Sequence, residues 1–190
     1  MEKFDNPVLY RFDEVPDHLL VERTEHRGVV RDASAPVFFD EDTAAAFLAH
    51  PGSVVSYLSA ALYWGLTLQN PVSTWLSVPR GKAYGGAKLV RFAPMPHEHG
   101  VVDVVLDCNV PVKMYDPAHT VVMMLESCPL VSKRGCIQTE EALEALSLFA
   151  SKVAPRSGST FCDLTEAMDN VGASAVTRAA ILAVRAHSSN

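Results

Sequence analysis

SVVSYLSAALYWGLTLQNPVSTWLSVPRG, residues 53–81, decides how this chain is read. Ser53 is placed to cap the free amides of a first helical turn, and Val54, Val55, Leu58, Ala61 and Leu62 supply apolar positions at helical spacing. Ser56, Ser59 and Tyr63 make a narrow polar stripe, so this helix is expected to be mostly buried. Gly65 falls just past the last turn, where a left-handed backbone costs little without a Cβ. After the Asn70-Pro71 turn, Ser73 to Val78 alternate at period two like a half-buried strand, and Pro79 stops it. A buried helix handing over to a strand points to a mixed α+β domain.

Composition agrees with a globular chain. At 190 residues and 48% apolar content there is material for one moderate domain or two small ones. The net charge of −6, from 22 acids against 16 bases, argues against holding nucleic acid by bulk electrostatics. Any phosphate-binding face must therefore concentrate its bases. No apolar run approaches the roughly 20 residues that span a bilayer, and the acidic start MEKFDNPVLYRFDE lacks the regions of a signal peptide. A cytoplasmic location with no membrane partner is expected. Cys108, Cys128, Cys136 and Cys162 are widely spaced without a C-x-x-C pair, which suits reduced thiols better than a zinc site.

Working outward, residues 1–39 are proline-broken and highly charged, with only Val29-Val30 and Val37-Phe38-Phe39 strand-like and no convincing long helix. Residues 40–190 form the main unit. Asp40, Glu41 and Asp42 open a helix through Leu48, which His50-Pro51-Gly52 ends. Lys88 to Phe92, Val101 to Leu106 and Val110 to Tyr115 are β-rich, and their short links predict a small antiparallel sheet with hairpin neighbours. Asp116 caps a helix from Ala118 to Glu126, with Pro117 at its first position. The C-terminal part is helical. Helices are expected from Thr139 to Val153, from Thr160 to Met168, and from Ala173 to His187.

The block at 53–81, the strand at Lys88 to Phe92, and VPVKMYDPAHTVVMML from Val110 to Leu125 together resemble the AbiEi family of bacterial antitoxins. Members of that family partner nucleotidyltransferase toxins in type IV toxin–antitoxin systems. The resemblance spans roughly Phe38 to Leu148, with Asp116, Pro117, Ala118, Thr120 and Val121 matching the family's helix entry. His119 stands where lysine is usual, and Met123 where an aspartate is expected. Relatives usually begin with a winged helix-turn-helix that reads promoter DNA, a module that needs a recognition helix. Residues 1–39 offer at most a remnant wing.

The candidate nucleic-acid contacts are Arg80, Lys82, Lys88, Arg91 and Lys113, of which three or four share a face if their strands are neighbours. The alternative is solvated charges flanking a core. On the last helix, Val176, Ala179, Ala180, Ala183 and Val184 form a small-residue face, while Arg178, Ile181, Leu182 and Arg185 lie opposite as a candidate partner surface or a face packed by a neighbouring helix.

Catalytic patterns are thin. His97-Glu98-His99 offers two metal ligands without a third at a recognisable distance, and Asp103 with Asp107 lacks the Glu-x-Lys of a nuclease strand. Neither Ser56 nor Ser59 sits in a nucleophile elbow. The resemblance implies two readings. The first is an antitoxin or transcriptional regulator without enzymatic activity or cofactor, opposing a nucleotidyltransferase toxin and binding promoter DNA. The second is a protein-interaction module that keeps the family fold and has lost specific DNA binding.

Overall fold

The computed structural model describes residues 7–79, 89–133, 135–153 and 160–188. Strands β1 (Leu9–Arg11), β2 (Val21–Arg23) and β3 (Val29–Asp32) form an antiparallel sheet in the order β1-β3-β2. Helix α1 (Glu41–Ala49) follows. A second sheet is built from β4 (Val54–Val55), β5 (Thr74–Val78), β6 (Val90–Pro94), β7 (Val101–Val105) and β8 (Pro111–Tyr115), in the order β6-β5-β4-β8-β7. Helix α2 (Tyr57–Trp64) lies between β4 and β5, and α3 (Pro117–Glu126) follows β8. Three further helices complete an α+β fold: α4 (Thr139–Leu148), prolonged by a wide turn over Phe149–Val153, then α5 (Phe161–Val171) and α6 (Ala175–Ser188).

The five-stranded sheet separates two cores. Val54, Trp75, Ala93 and Tyr115 pack toward the helices, where α3 buries every residue from Pro117 to Leu125. Val55, Leu76, Val104, Val112 and Met114 face the other way, against Val8, Leu9, Val29 and the alanines Ala44, Ala45 and Ala46 of α1. Residues 7–39 thus contribute their own sheet to a shared core. Small side chains on α1 let that helix lie close against the strands beneath it.

Several expectations hold. Gly65 adopts φ +70 at the C-cap of α2, and Asp116 caps α3 by accepting the His119 amide at 2.8 Å, with Pro117 at the first position. The Gln138 amide donates to Glu141 at the start of α4, and the Thr160 amide donates to Asp163 at the start of α5.

Other expectations are corrected. Ser53 does not cap a helix through Val54 and Val55, because these two residues form β4, pairing antiparallel with Leu76 and Ser77 and, at Met114, parallel with β8. A short apolar run is compatible with either state, and here the ladder partners decide. The sheet is mixed, since β5 and β6 also run parallel. All five residues of β5 are buried, because layers cover both faces. Val37 and Phe39 lie exposed in a loop before α1, and the described part of the strand expected over Lys88 to Phe92 is β6, which runs on to Pro94.

Candidate functional site

The described basic residues are spread out. Arg91 lies on β6 with its guanidinium 5.3 Å from the Trp75 ring, and Lys113 on β8 is 3.1 Å from Asp103. Strand order sets these two strands three spacings apart, roughly 14 Å at the usual interstrand distance. Each has a local partner, the Trp75 ring for Arg91 and Asp103 for Lys113, and their strands are not neighbours. Arg80, Lys82 and Lys88 lie outside the described residues.

On α6 the buried side is Thr177 and Ile181, with Ala180 and Val184 packed against the core. Ile181 is 2% exposed and is a core residue, not part of a partner surface; its neighbour Leu182, one helical step away, is 57% exposed. The difference follows from helical geometry, since adjacent residues diverge by about 100° and cannot share a face. Arg178 donates to Asp169 at 2.9 Å and to the Ala173 carbonyl at 3.1 Å, which fastens α6 to the turn before it. Arg185 is exposed.

A cluster that sequence reasoning did not assemble lies where the loop after β6, the start of α3 and helix α5 meet. His119 is 6% exposed, and its Nδ1–H donates to Asp116 at 2.9 Å. Asn170 of α5 lies 3.4 Å from Nε2, where its amide can donate to the remaining lone pair. Gly100, at φ +72, leaves the space that the imidazole occupies, because a Cβ there would stand 2.1 Å from Nδ1. The His97 ring lies 5.6 Å from that of His119 and 5.7 Å from that of Tyr115. Tyr115 donates its hydroxyl to the His97 carbonyl at 2.7 Å, which pins the loop. Burial, and then the nearby His119, hold the His97 imidazole below its ordinary pKa.

A cleft of about 280 Å³ opens beside this cluster, lined by His99, Asp116, His119, Asp163, Glu166 and Asn170. Its chemistry is that of a proton-holding, cation-tolerant pocket. No arginine or lysine lines it among the described residues, and its donors are the imidazoles of His99 and His119 and the Asn170 amide. Among the described residues no three His, Cys, Asp or Glu side chains gather in a metal-binding arrangement. His97 Nδ1 instead faces the His99 carbonyl at 3.1 Å. The signal for this site was faint, since His97, Gly100 and His119 converge only through the β7–β8 hairpin between them.

A larger cleft, of about 510 Å³, lies between α1, α2 and the loop leading to β5. Its floor includes Ser59, Thr74, Leu106 and Met114, and its rim carries Phe39, Asp40, Asp42, Tyr63, Val72, Leu89 and Asp107. Asp40 accepts the Asp107 amide at 2.6 Å, bringing the start of α1 to the β7–β8 turn. Burial, with Asp107 and Asp40 close by, raises the Tyr63 phenol above its ordinary pKa.

No protein-family model matches the chain, and no curated protein matches it.

Proposed function

We propose that this chain is a cytoplasmic recognition protein of the AbiEi antitoxin type, which opposes a nucleotidyltransferase toxin and catalyses no reaction of its own. The observation that carries this reading is the packing of the resembling segments into one unit. Strand β4 sits between β5 and β8, the Trp64 indole donates to the Tyr115 carbonyl at 2.7 Å, and the Ser59 hydroxyl accepts the Trp75 amide at 2.9 Å. These contacts join the 53–81 block to the Asp116-Pro117 helix entry across more than 50 residues of chain, as a shared domain requires. The free thiols Cys108, Cys128 and Cys136 suit a reducing compartment.

The second reading, retention of the domain with loss of specific DNA recognition, is favoured by a separate observation. Among the described residues, 7–39 hold three strands and a single 3-10 turn, with no α-helix to enter a major groove. Autoregulation through Arg80, Lys82, Lys88, Arg91 and Lys113 would then rest on phosphate contacts, and contact with a partner on Arg178, Leu182 and Arg185. The neighbouring gene and co-expression test the antitoxin role: an adjoining nucleotidyltransferase reading frame whose toxic product is relieved by this chain supports it, and the lack of such a frame or unrelieved growth arrest would refute it. A gel shift with DNA upstream of the gene separates the readings. A salt-sensitive shift favours the regulator, and no shift with retained rescue favours the second reading.

A further inference from the structure

We infer that the 510 Å³ cleft between α1 and α2 is a docking groove for a basic amphipathic helix of a protein partner. The inference goes beyond the antitoxin reading and stands whether or not the chain opposes a toxin. Its first support is apolar surface with nothing over it: Val72 is 90% exposed and Phe39 is 72% exposed, and Tyr63 and Leu89 are exposed beside them. All four line one concave feature, a different situation from single apolar residues scattered over a surface. Aromatic side chains of this kind, set around a groove, are the usual anchors of a protein interface.

The second support is charge. Asp40, Asp42 and Asp107 line the same cleft, and among the described residues none of them is in an ion pair. No arginine, lysine or histidine lines it among those residues. Two exposed carboxylates, Asp42 and Asp107, beside the apolar rim complement a helix with leucine-like residues on one side and lysine or arginine flanking them, while Asp40 is held by the Asp107 amide. The same charges disfavour nucleic acid and an anionic lipid surface. Floor and walls come from secondary structure, with Ser59 and Leu62 on α2, Thr74 on β5 and Met114 on β8, so the groove is preformed.

The test is a nitrogen-15 NMR titration of the full chain with a synthetic amphipathic peptide of leucine and lysine, alongside leucine/glutamate and serine/lysine peptides of equal length. The leucine/lysine peptide should bind with amide shifts concentrated at Phe39, Asp42, Tyr63 and Val72, and added salt should weaken it. The doubly substituted Asp42→Lys, Asp107→Lys protein and the Val72→Glu protein should each bind about tenfold more weakly. These side chains are exposed, so unchanged melting curves would show that the fold survives. Equal binding of either control peptide, shifts centred elsewhere, or no binding would overturn the inference. So would a concentration-dependent dimer that Val72→Glu dissolves, because it would assign the groove to a second copy of this chain.

Discussion

On the helical face of the five-stranded sheet, polar side chains of α2 and α3 are tied to specific partners, whereas the face toward β1–β3 is closed mainly by small and branched apolar residues. Trp64, Ser59 and Thr120 each have a hydrogen bond to the end or the backbone of a neighbouring strand, and His119 is held by the Asp116 cap of its own helix. On the other face Ala44, Ala45 and Ala46 meet Val8, Leu9 and Val29. Near the β2–β3 turn, His26 is buried with neither ring nitrogen hydrogen-bonded among the described residues. The contrast teaches that burial alone does not fix an arrangement. The helical face is tied through its interior, whereas the face toward β1–β3 has an apolar interior and is tied at its edge, where Arg31 of β3 pairs with Glu41 of α1 at 3.2 Å and Asp40 accepts the Asp107 amide.

The largest effect should come from the helical core. Phe149, with no exposed surface, fills the junction of α4 with the core, and Phe149→Ala should cost about 3–5 kcal/mol in urea unfolding. An equal loss from Val29→Ala, which removes much less side chain on the other face, would erase the comparison.

Gly100→Ala comes next. The new methyl would meet the His119 ring and sit at a left-handed backbone position, for a loss of about 2–4 kcal/mol. Adding His119→Ala should recover part of that loss, because the two positions compete for one space. Strict additivity in the double mutant would show that the glycine matters through its backbone alone.

Acid should discriminate the faces more gently. The His26 pKa is lowered from about 6.5, chiefly by burial, with Asp42 opposing and His50 assisting. The folded state therefore binds this proton less readily than the unfolded chain. Stability from this group is present above about pH 6.5 and is lost as pH falls through the unfolded value toward the depressed folded one. His97, also lowered, adds to the loss in the same direction. His26→Leu should flatten part of the decline in melting temperature below neutrality, and an unchanged slope would remove His26 from the account. The smallest effect belongs to Lys113→Ala, whose solvent-exposed pair with Asp103 should contribute no more than about 0.5 kcal/mol.

Much of the local structure was legible because its chemistry is local. The Asp116-Pro117 entry, the Gly65 exit and the acidic start of α1 each state their role within a few residues. The mixed sheet was not legible, since parallel pairing of β4 with β8 and of β5 with β6 joins strands with intervening chain and leaves no period in the sequence. Val54 and Val55 lacked the length to declare themselves a strand. Of the candidate sites, the basic set was visible as residue types, but placement separated Arg91 from Lys113. The histidine cleft and the acidic groove are products of tertiary convergence. Ile181 was misplaced because the small-residue face of α6 suggested the core side, while the bulkier Thr177 and Ile181 fill it.

Strand β4 contains two residues, yet it is the splice between the β5–β6 pair and the β7–β8 hairpin. The hydroxyls of Ser53, Ser56 and Ser77 around it have no hydrogen-bond partner among the described residues. Few ladder bonds and desolvated hydroxyls make this seam the place where the sheet would part first under force or heat, leaving the hairpin whole.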